Sequence, residues 1–506
     1  MVAHCNTLAS QGIEVVDVEV QVHMASGVPA FNVVGLADKT VAESRERVRA
    51  ALHSLGLALP PKRITINLSP ADLTKEGSHY DLPIAAGLLI HMGILPQEQL
   101  KNYLVMGELS LDGSIMPVAG ILPAAIGATA RSLGIICPAA NGREAAWAGN
   151  DSILAPHHLI ALINHFKGTQ LLSQPIPELA DNNDAYPDLG DIRGQETAKR
   201  ALEIAAAGGH NMLMSGPPGS GKSMLASRIT GIMPELSAEE MLECSMIASI
   251  AGDLADGRLQ RRRPYRSPHH SCSIAAMVGG GGKRVNPGEI SLAHNGVLFL
   301  DELPEFPRAV LESLRQPIET GQVTIARAHS HISFPARFQL IAAMNPCRCG
   351  YLSDAERACN KAPRCASDYQ SKISGPLFDR IDIHVDVPAM PTAELIGTTN
   401  AESSASVAER VHLARKIQHE RYDGHAVHTN AQADGQLLLD VAFPNNDGKT
   451  LLNKAAEQMK LSMRGYNRVL RVARTIADLE GSVTVGKIHI AEALSYRQVY
   501  IKKAAA

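Results

Sequence analysis

One eight-residue stretch constrains the architecture of this chain more than any other. Residues 216–223 read Gly216-Pro217-Pro218-Gly219-Ser220-Gly221-Lys222-Ser223, a complete G-x-x-x-x-G-K-S phosphate loop. The glycines let the backbone curl until its N–H groups point at phosphate oxygens. Lys222 reaches the β- and γ-phosphates, and Ser223 offers its hydroxyl to Mg²⁺. The flanks fit: Asn211–Ser215 is a short apolar strand, and Met224–Ile229 opens a helix whose N-terminus favours an anion. Strand, loop and helix in this order imply a parallel α/β sheet that binds a nucleoside triphosphate, with ATP and Mg²⁺ expected.

The 506 residues suggest about three domains. Residues 1–165 form a block of alternating strands and short helices, with Asp112-Gly113 as a hairpin signal. Residues 166–188 are polar and broken by Pro175, Pro177 and Pro187, and read as a linker. Residues 189–390 alternate strand and helix around the phosphate loop, and residues 391–506 are almost all helical. No apolar run approaches the roughly 18 residues of a membrane span, and Met1–Asn6 does not begin a signal peptide. A cytoplasmic protein is expected, with thiols or metal ligands rather than disulfides among its eight cysteines. The net charge of −3 and an aromatic content of 4% carry no global nucleic-acid signature, so a polyanion would be held by local patches.

Three further segments complete the chemistry of an ATPase. Gly296–Leu300 is an apolar strand ending in Asp301-Glu302. Asp301 would enter the Mg²⁺ shell, and Glu302 would polarise the attacking water. Ile341–Met344 is another apolar strand, ending at Asn345, whose amide could orient that water. Gly375-Pro-Leu-Phe-Asp379-Arg380-Ile-Asp382 presents an arginine that either reaches a neighbouring subunit's phosphate or closes an intrachain salt bridge.

Together, Gly-Pro-Pro-Gly-Ser-Gly-Lys-Ser, Leu-Phe-Leu-Asp-Glu, Ala-Met-Asn-Pro-Cys and Ser-Gly-Pro-Leu-Phe-Asp-Arg-Ile-Asp resemble the magnesium-chelatase-like AAA+ ATPases, and in particular the bacterial ComM/YifB family. The phrases Arg263–Ser271 and Arg474–Gly481 strengthen that resemblance, which covers essentially the whole chain. It implies a multidomain α/β fold: a Lon-protease-like α+β N-terminal domain, an AAA+ core and a C-terminal helical lid. It implies Asn345 as sensor 1, Arg380 as a trans arginine finger and Arg464 as sensor 2, with Arg468 the neighbouring alternative. A finger acting in trans implies a homo-hexameric ring. The family resemblance further implies a DNA motor that migrates branched junctions and extends heteroduplex during natural transformation, with recombination proteins as partners. The alternatives are metal insertion, as in magnesium chelatase, and protein remodelling.

The Lon-like block carries no peptidase dyad. His79 stands at the nucleophile position, Ser78 is one residue out of register, and Val118–Ala124 has no lysine to take a proton. Candidate DNA contacts are Arg261, Arg262, Arg263 and Arg266, then Lys283 and Arg284 after a glycine run, then Arg327 and His329 at the tip of a hairpin. A solvated charged loop is the plainer reading of the first two groups, and an edge hairpin of the third. Cys347, Cys349, Cys359 and Cys365 put four thiols within 19 residues. They read either as a structural Zn²⁺ site or as reduced loop thiols, since the intervening one, nine and five residues depart from paired C-x-x-C knuckles.

Overall fold

The alternating residues of the N-terminal block pair into a long hairpin. A computed structural model describes residues 2–180, 186–281, 285–327, 330–352, 359–362, 364–390 and 401–497. Strands β1 (Val2–Gln11) and β2 (Glu14–Ala25) run antiparallel in unbroken register, from Val2 opposite His23 to Gln11 opposite Glu14. With β3 (Ala30–Val34), β4 (Arg63–Ser69), β5 (Tyr103–Val105), β6 (Gly134–Ile136) and β7 (Ile153–Leu154) they form a seven-stranded mixed sheet of order β3-β4-β2-β1-β5-β6-β7. Helices α1 (Lys39–Ser54) and α2 (Asp81–His91) bury their apolar positions with Val20, Val22, Ile64 and Ile66. Gly87 brings α2 so close to the sheet that a Cβ there would lie 2.7 Å from Val22. Helix α3 (Ile121–Ala130) belongs to a separate cluster with Leu8, Leu104 and Ile135, while α4 (Leu159–Phe166) joins the first cluster, so apolar residues cover both faces. The expected turn at Asp112-Gly113 joins two short antiparallel segments, Glu108–Leu109 and Ile115–Met116.

The second layer system is built on strands with hardly any polar residue. β8 (Met212–Ser215), β10 (Val297–Leu300) and β13 (Gln339–Met344) are buried along their whole length. That is the pattern of a parallel sheet covered on both faces. With β9 (Tyr265–Arg266) and β14 (Ile383–Asp386) they give five parallel strands in the order β9-β10-β13-β8-β14. Strands β11 (Gln322–Arg327) and β12 (Ser330–Pro335) make a separate antiparallel hairpin. Helices α5 (Glu196–Gly208) and α6 (Lys222–Ile232) contribute to the core on one side of the sheet, and Met277, Phe306, Leu311 and Leu377 to the core on the other. Helix α7 (Ala238–Ala251) starts at a full capping box in which Ser237 and Glu240 satisfy each other's backbone N–H, a device worth about 1 kcal/mol.

The C-terminal part is helical among the described residues. It comprises α8 (Ser404–Arg421), α9 (Gly435–Ala442), α10 (Asn446–Met459), α11 (Met463–Leu479) and α12 (Lys487–Ser495). Helix α11 is strongly amphipathic, and Val469, Val472, Ala473 and Ile476 share one apolar core with α5 and the β8 strand. These helices pack on α5 and α6, the second of which begins at the phosphate loop.

Two contacts tie the N-terminal layer to the nucleotide layer. The β1–β2 turn lies on the hairpin: Ile13 packs with Ile250, Val285, Ile332 and Phe334, and a Cβ on Gly12 (φ +70°) would come within 2.6 Å of the Ser333 carbonyl. At the start of α3, Gly120 N–H donates to Ser249 O (3.0 Å), and Leu122 N–H donates to Glu144 Oε1 (3.0 Å) and Ser249 Oγ (3.3 Å). Ser249 Oγ also donates to the Glu144 carboxylate, as does Asn141 Nδ2 (2.8 Å). Burial pushes the Glu144 carboxyl above its ordinary range.

Candidate active site

Parallel strands end on the same side of a sheet, and here the registers make those ends coincide. Ser215 lies opposite both Met344 and Asp386, and Leu300 lies opposite Ala342. The next residues in the chain, Gly216, Asp301 and Asn345, thus converge at the carboxyl edge, where open α/β sheets bind ligands. Gly219 (φ +76°) and Gly221 (φ +90°) turn the loop through left-handed conformations before Lys222 begins α6. A Cβ on Gly216 would come within 2.0 Å of the Val387 carbonyl, so only glycine fits there.

Lys222 Nζ lies over its own loop, donating to Gly216 O (2.8 Å), Pro217 O (2.8 Å) and Asn345 Oδ1 (3.3 Å). Burial lowers its pKa, opposed by Asp301 and Glu302. Ser220 Oγ stands 3.4 Å from the same ammonium. Ser223 Oγ donates to Asp301 Oδ2 (2.7 Å), which sets side by side the hydroxyl and carboxylate that a Mg²⁺ ion would share. Glu302 has a left-handed backbone (φ 51°), unusual for a residue with a side chain, and donates its N–H to Asp301 Oδ1 (2.9 Å). Its carboxylate is half-exposed and faces His270 Nδ1 at 3.5 Å. His270 is absent from the sequence-based set of site residues. The His269-His270 pair in an otherwise polar stretch is the signal that marks it.

The expected arginines divide. Arg380 is held within its own chain by the Glu319 carboxylate, and its carbonyl accepts from Asn211 Nδ2 (3.0 Å). Arg464 is exposed in the first turn of α11. Arg468, one turn on, is buried with its Nε 3.5 Å from Asp382. Although burial opposes it, the hydrogen bond and charge of His210 and the charges of Arg468 and Arg471 hold the Asp382 carboxyl below its usual value.

The basic run is partly committed within the chain. Arg263 pairs with Glu240 (3.0 Å) and donates to the carbonyls of Pro234 and Asn295 (2.7 Å each). Arg266 makes a fork-to-fork pair with Glu289 (2.6 and 2.8 Å). Arg262 lies 4.3 Å over the Tyr186 ring, and Arg261 is exposed. Lys283, Arg284 and His329 lie outside the described residues, as does the side chain of Arg327. In the N-terminal layer Ser78 donates to Glu108, His79 Nε2 lies 3.1 Å from Leu8 O, and the buried Lys75 donates to Pro70 O. The sulfurs of Cys347, Cys349 and Cys365 all lie within 4.8 Å of one another.

A phosphate loop between β8 and α6, with an Asp-Glu pair just after β10 of the same sheet, defines a P-loop ATPase. Models of the magnesium chelatase subunit ChlI match residues 20–141 and 188–395, and a model of its C-terminal part matches residues 401–497. The YifB protein of Escherichia coli is 43% identical over 495 residues, 98% of this chain and 96% of that protein. The competence protein ComM of Haemophilus influenzae is also 43% identical, over 97% of this chain and 96% of its own. The magnesium-chelatase 38 kDa subunit of Rhodobacter capsulatus is 24% identical over 64% of this chain. The chain belongs to the ComM/YifB family of magnesium-chelatase-like AAA+ proteins. That family implies an ATPase and suggests ATP with Mg²⁺. Among the described residues no helix is long and apolar enough to cross a membrane.

Proposed function

We propose that this chain is one subunit of a cytoplasmic, homo-hexameric, ATP-driven DNA motor that migrates branched junctions and so extends heteroduplex in recombination during natural transformation. The reading rests on one observation: end-to-end relatedness to a protein named for competence, in a chain whose phosphate loop, Asp301-Glu302 and Asn345 meet at one sheet edge. Lys222 and the loop N–H groups bind the triphosphate, Ser223 and Asp301 hold Mg²⁺, and Glu302 and Asn345 align the water. Arg380 leaves Glu319 to reach the neighbouring subunit's γ-phosphate, and an arginine of α11, Arg464 or Arg468, closes over the nucleotide. The N-terminal layer is a Lon-like fold without peptidase chemistry, and the C-terminal helices serve as the lid. Because Arg263 and Arg266 are engaged by carboxylates, phosphate contacts fall to Arg261, Arg262, Lys283 and Arg284 and to Arg327 and His329 of the β11–β12 hairpin, on which the β1–β2 turn packs.

The test is ATP hydrolysis with and without DNA, followed by strand exchange on a labelled four-way junction. The expected result is DNA-stimulated turnover and ATP-dependent junction movement. Turnover indifferent to DNA, with a static junction, overturns the motor and leaves only the ATPase. Arg380→Ala subunits mixed with Lys222→Ala subunits should recover part of the activity, since each supplies the half-site the other lacks. No recovery would exclude a finger acting in trans.

A further inference from the structure

We propose that Cys347, Cys349, Cys359 and Cys365 form a closed thiolate site for Zn²⁺, and that this metal braces the phosphate loop against Asn345. The cysteines lie far apart in spacing but together in space. The Cys347 and Cys349 sulfurs are 3.0 Å apart, and Cys365 lies with both inside 4.8 Å. Cys359 neighbours Cys349 and Cys365 but stands outside the group of three sulfurs within 4.8 Å, and is the fourth ligand of the proposed site. A disulfide would hold its sulfurs about 2.0 Å apart, and all eight cysteines are free. A tetrahedral Zn–S distance of about 2.3 Å sets the sulfurs about 3.8 Å apart, so small side-chain rotations convert the present cluster into a metal shell. Four thiolates leave no open position, which makes the site structural rather than catalytic. Uptake of the ion releases the thiol protons.

The position of the cluster gives it a purpose. Cys347 follows Asn345 by two residues, directly after β13. The turn Cys347–Gly350 is closed by Gly350 N–H donating to Cys347 O (3.0 Å). Gly350 has φ +85°, and a Cβ there would lie 2.5 Å from Pro218 of the phosphate loop. The helix carrying Cys365, Arg364–Gln370, is tied back by Gln370 Nε2 donating to Pro346 O (3.1 Å). Two ligands therefore sit between sensor position and phosphate loop, and a third is anchored to the residue that separates them. Fixing the four sulfurs fixes the distance between Asn345 and the loop that Lys222 folds over.

The metal half of the proposal stands apart from the motor, and its bracing role rests on the nucleotide-site reading. Full-length protein prepared without chelators or metal-affinity resins should contain about one zinc per chain by plasma mass spectrometry. Replacement by Co²⁺ should give a thiolate-to-metal charge-transfer band and strong tetrahedral d–d bands. Cys365→Ser should lose the metal, whereas Cys244→Ser should keep it. Wild-type protein that holds no zinc and gives no charge-transfer band with Co²⁺ overturns the site, whatever its ATPase activity. Zinc-free Cys365→Ser should lose affinity for a fluorescent ATP analogue while its circular dichroism is unchanged. Undiminished nucleotide binding after loss of the metal overturns the bracing role.

Discussion

Glu144→Ala should loosen the N-terminal layer from the nucleotide layer without touching the nucleotide. The buried carboxylate accepts from Leu122 N–H at 3.0 Å, from Asn141 at 2.8 Å and from the Ser249 hydroxyl. After truncation Asn141 still reaches Val118 O (3.1 Å), and Leu122 N–H falls back on Ser249 Oγ at 3.3 Å. The loss is then about one buried donor stranded and one hydrogen bond lengthened, about 2 kcal/mol. Local opening should become about thirtyfold more frequent, since each 1.4 kcal/mol is tenfold. Amide hydrogen exchange reads this directly. Peptides over 118–126 and 245–252 should exchange faster, while β4 in the far part of the sheet should not. Because burial raises the carboxyl's pKa above its unfolded value, its contribution is full in acid and fades as pH rises through the folded pKa. Glu144→Gln should remove that pH dependence. Unchanged exchange at both peptides in Glu144→Ala would refute the assignment of Glu144 as the linchpin of this contact.

Glu302→Gln should keep ATP binding and lower turnover by at least about a hundredfold, the usual contribution of a general base. Rapid-quench hydrolysis beside equilibrium nucleotide binding measures both, and near-normal turnover would reassign the water-activating role. Glu243 is held down to about 2 by hydrogen bonds from His294 and Asn295 and by the Arg337 charge, which join α7 to the segments leading into β10 and β13. A depressed carboxyl stabilises above its unfolded pKa of about 4.3 and loses that contribution as pH falls through the folded value. Glu243→Gln should therefore melt lower than wild type at pH 7, with the gap closing towards pH 2. A gap that persists in acid would show that charge is not the cause.

The nucleotide site was legible because its chemistry is local. A loop of fixed length needs glycine where φ is positive, and Gly219 and Gly221 sit there. The carboxylates at 301 and 302 and the amide at 345 each follow an apolar strand, so their place at the carboxyl edge follows from parallel pairing alone. Partners supplied by distant segments were not legible. Nothing near Arg380 in the chain announces Glu319, and the basic run 261–266 reads as free charge until Glu240 and Glu289 are seen to fold over it. The contact between Ser249 and the start of α3 joins residues more than a hundred positions apart in a stretch of bland composition. The thiols were visible as a group, but their irregular spacing says little until the turn at Gly350 brings them together.

The turn at Gly12 has a mechanical consequence. Its apex is wedged against Ser333, and behind it β1 and β2 run as one uninterrupted ladder about 34 Å long. Since β1 and β2 are the middle strands of the seven-stranded sheet, with β5 and β4 on their outer sides, any push at Ser333 is taken up by the whole sheet and not by one loop. Lengthening the turn by one residue should release that contact while leaving both sheets whole.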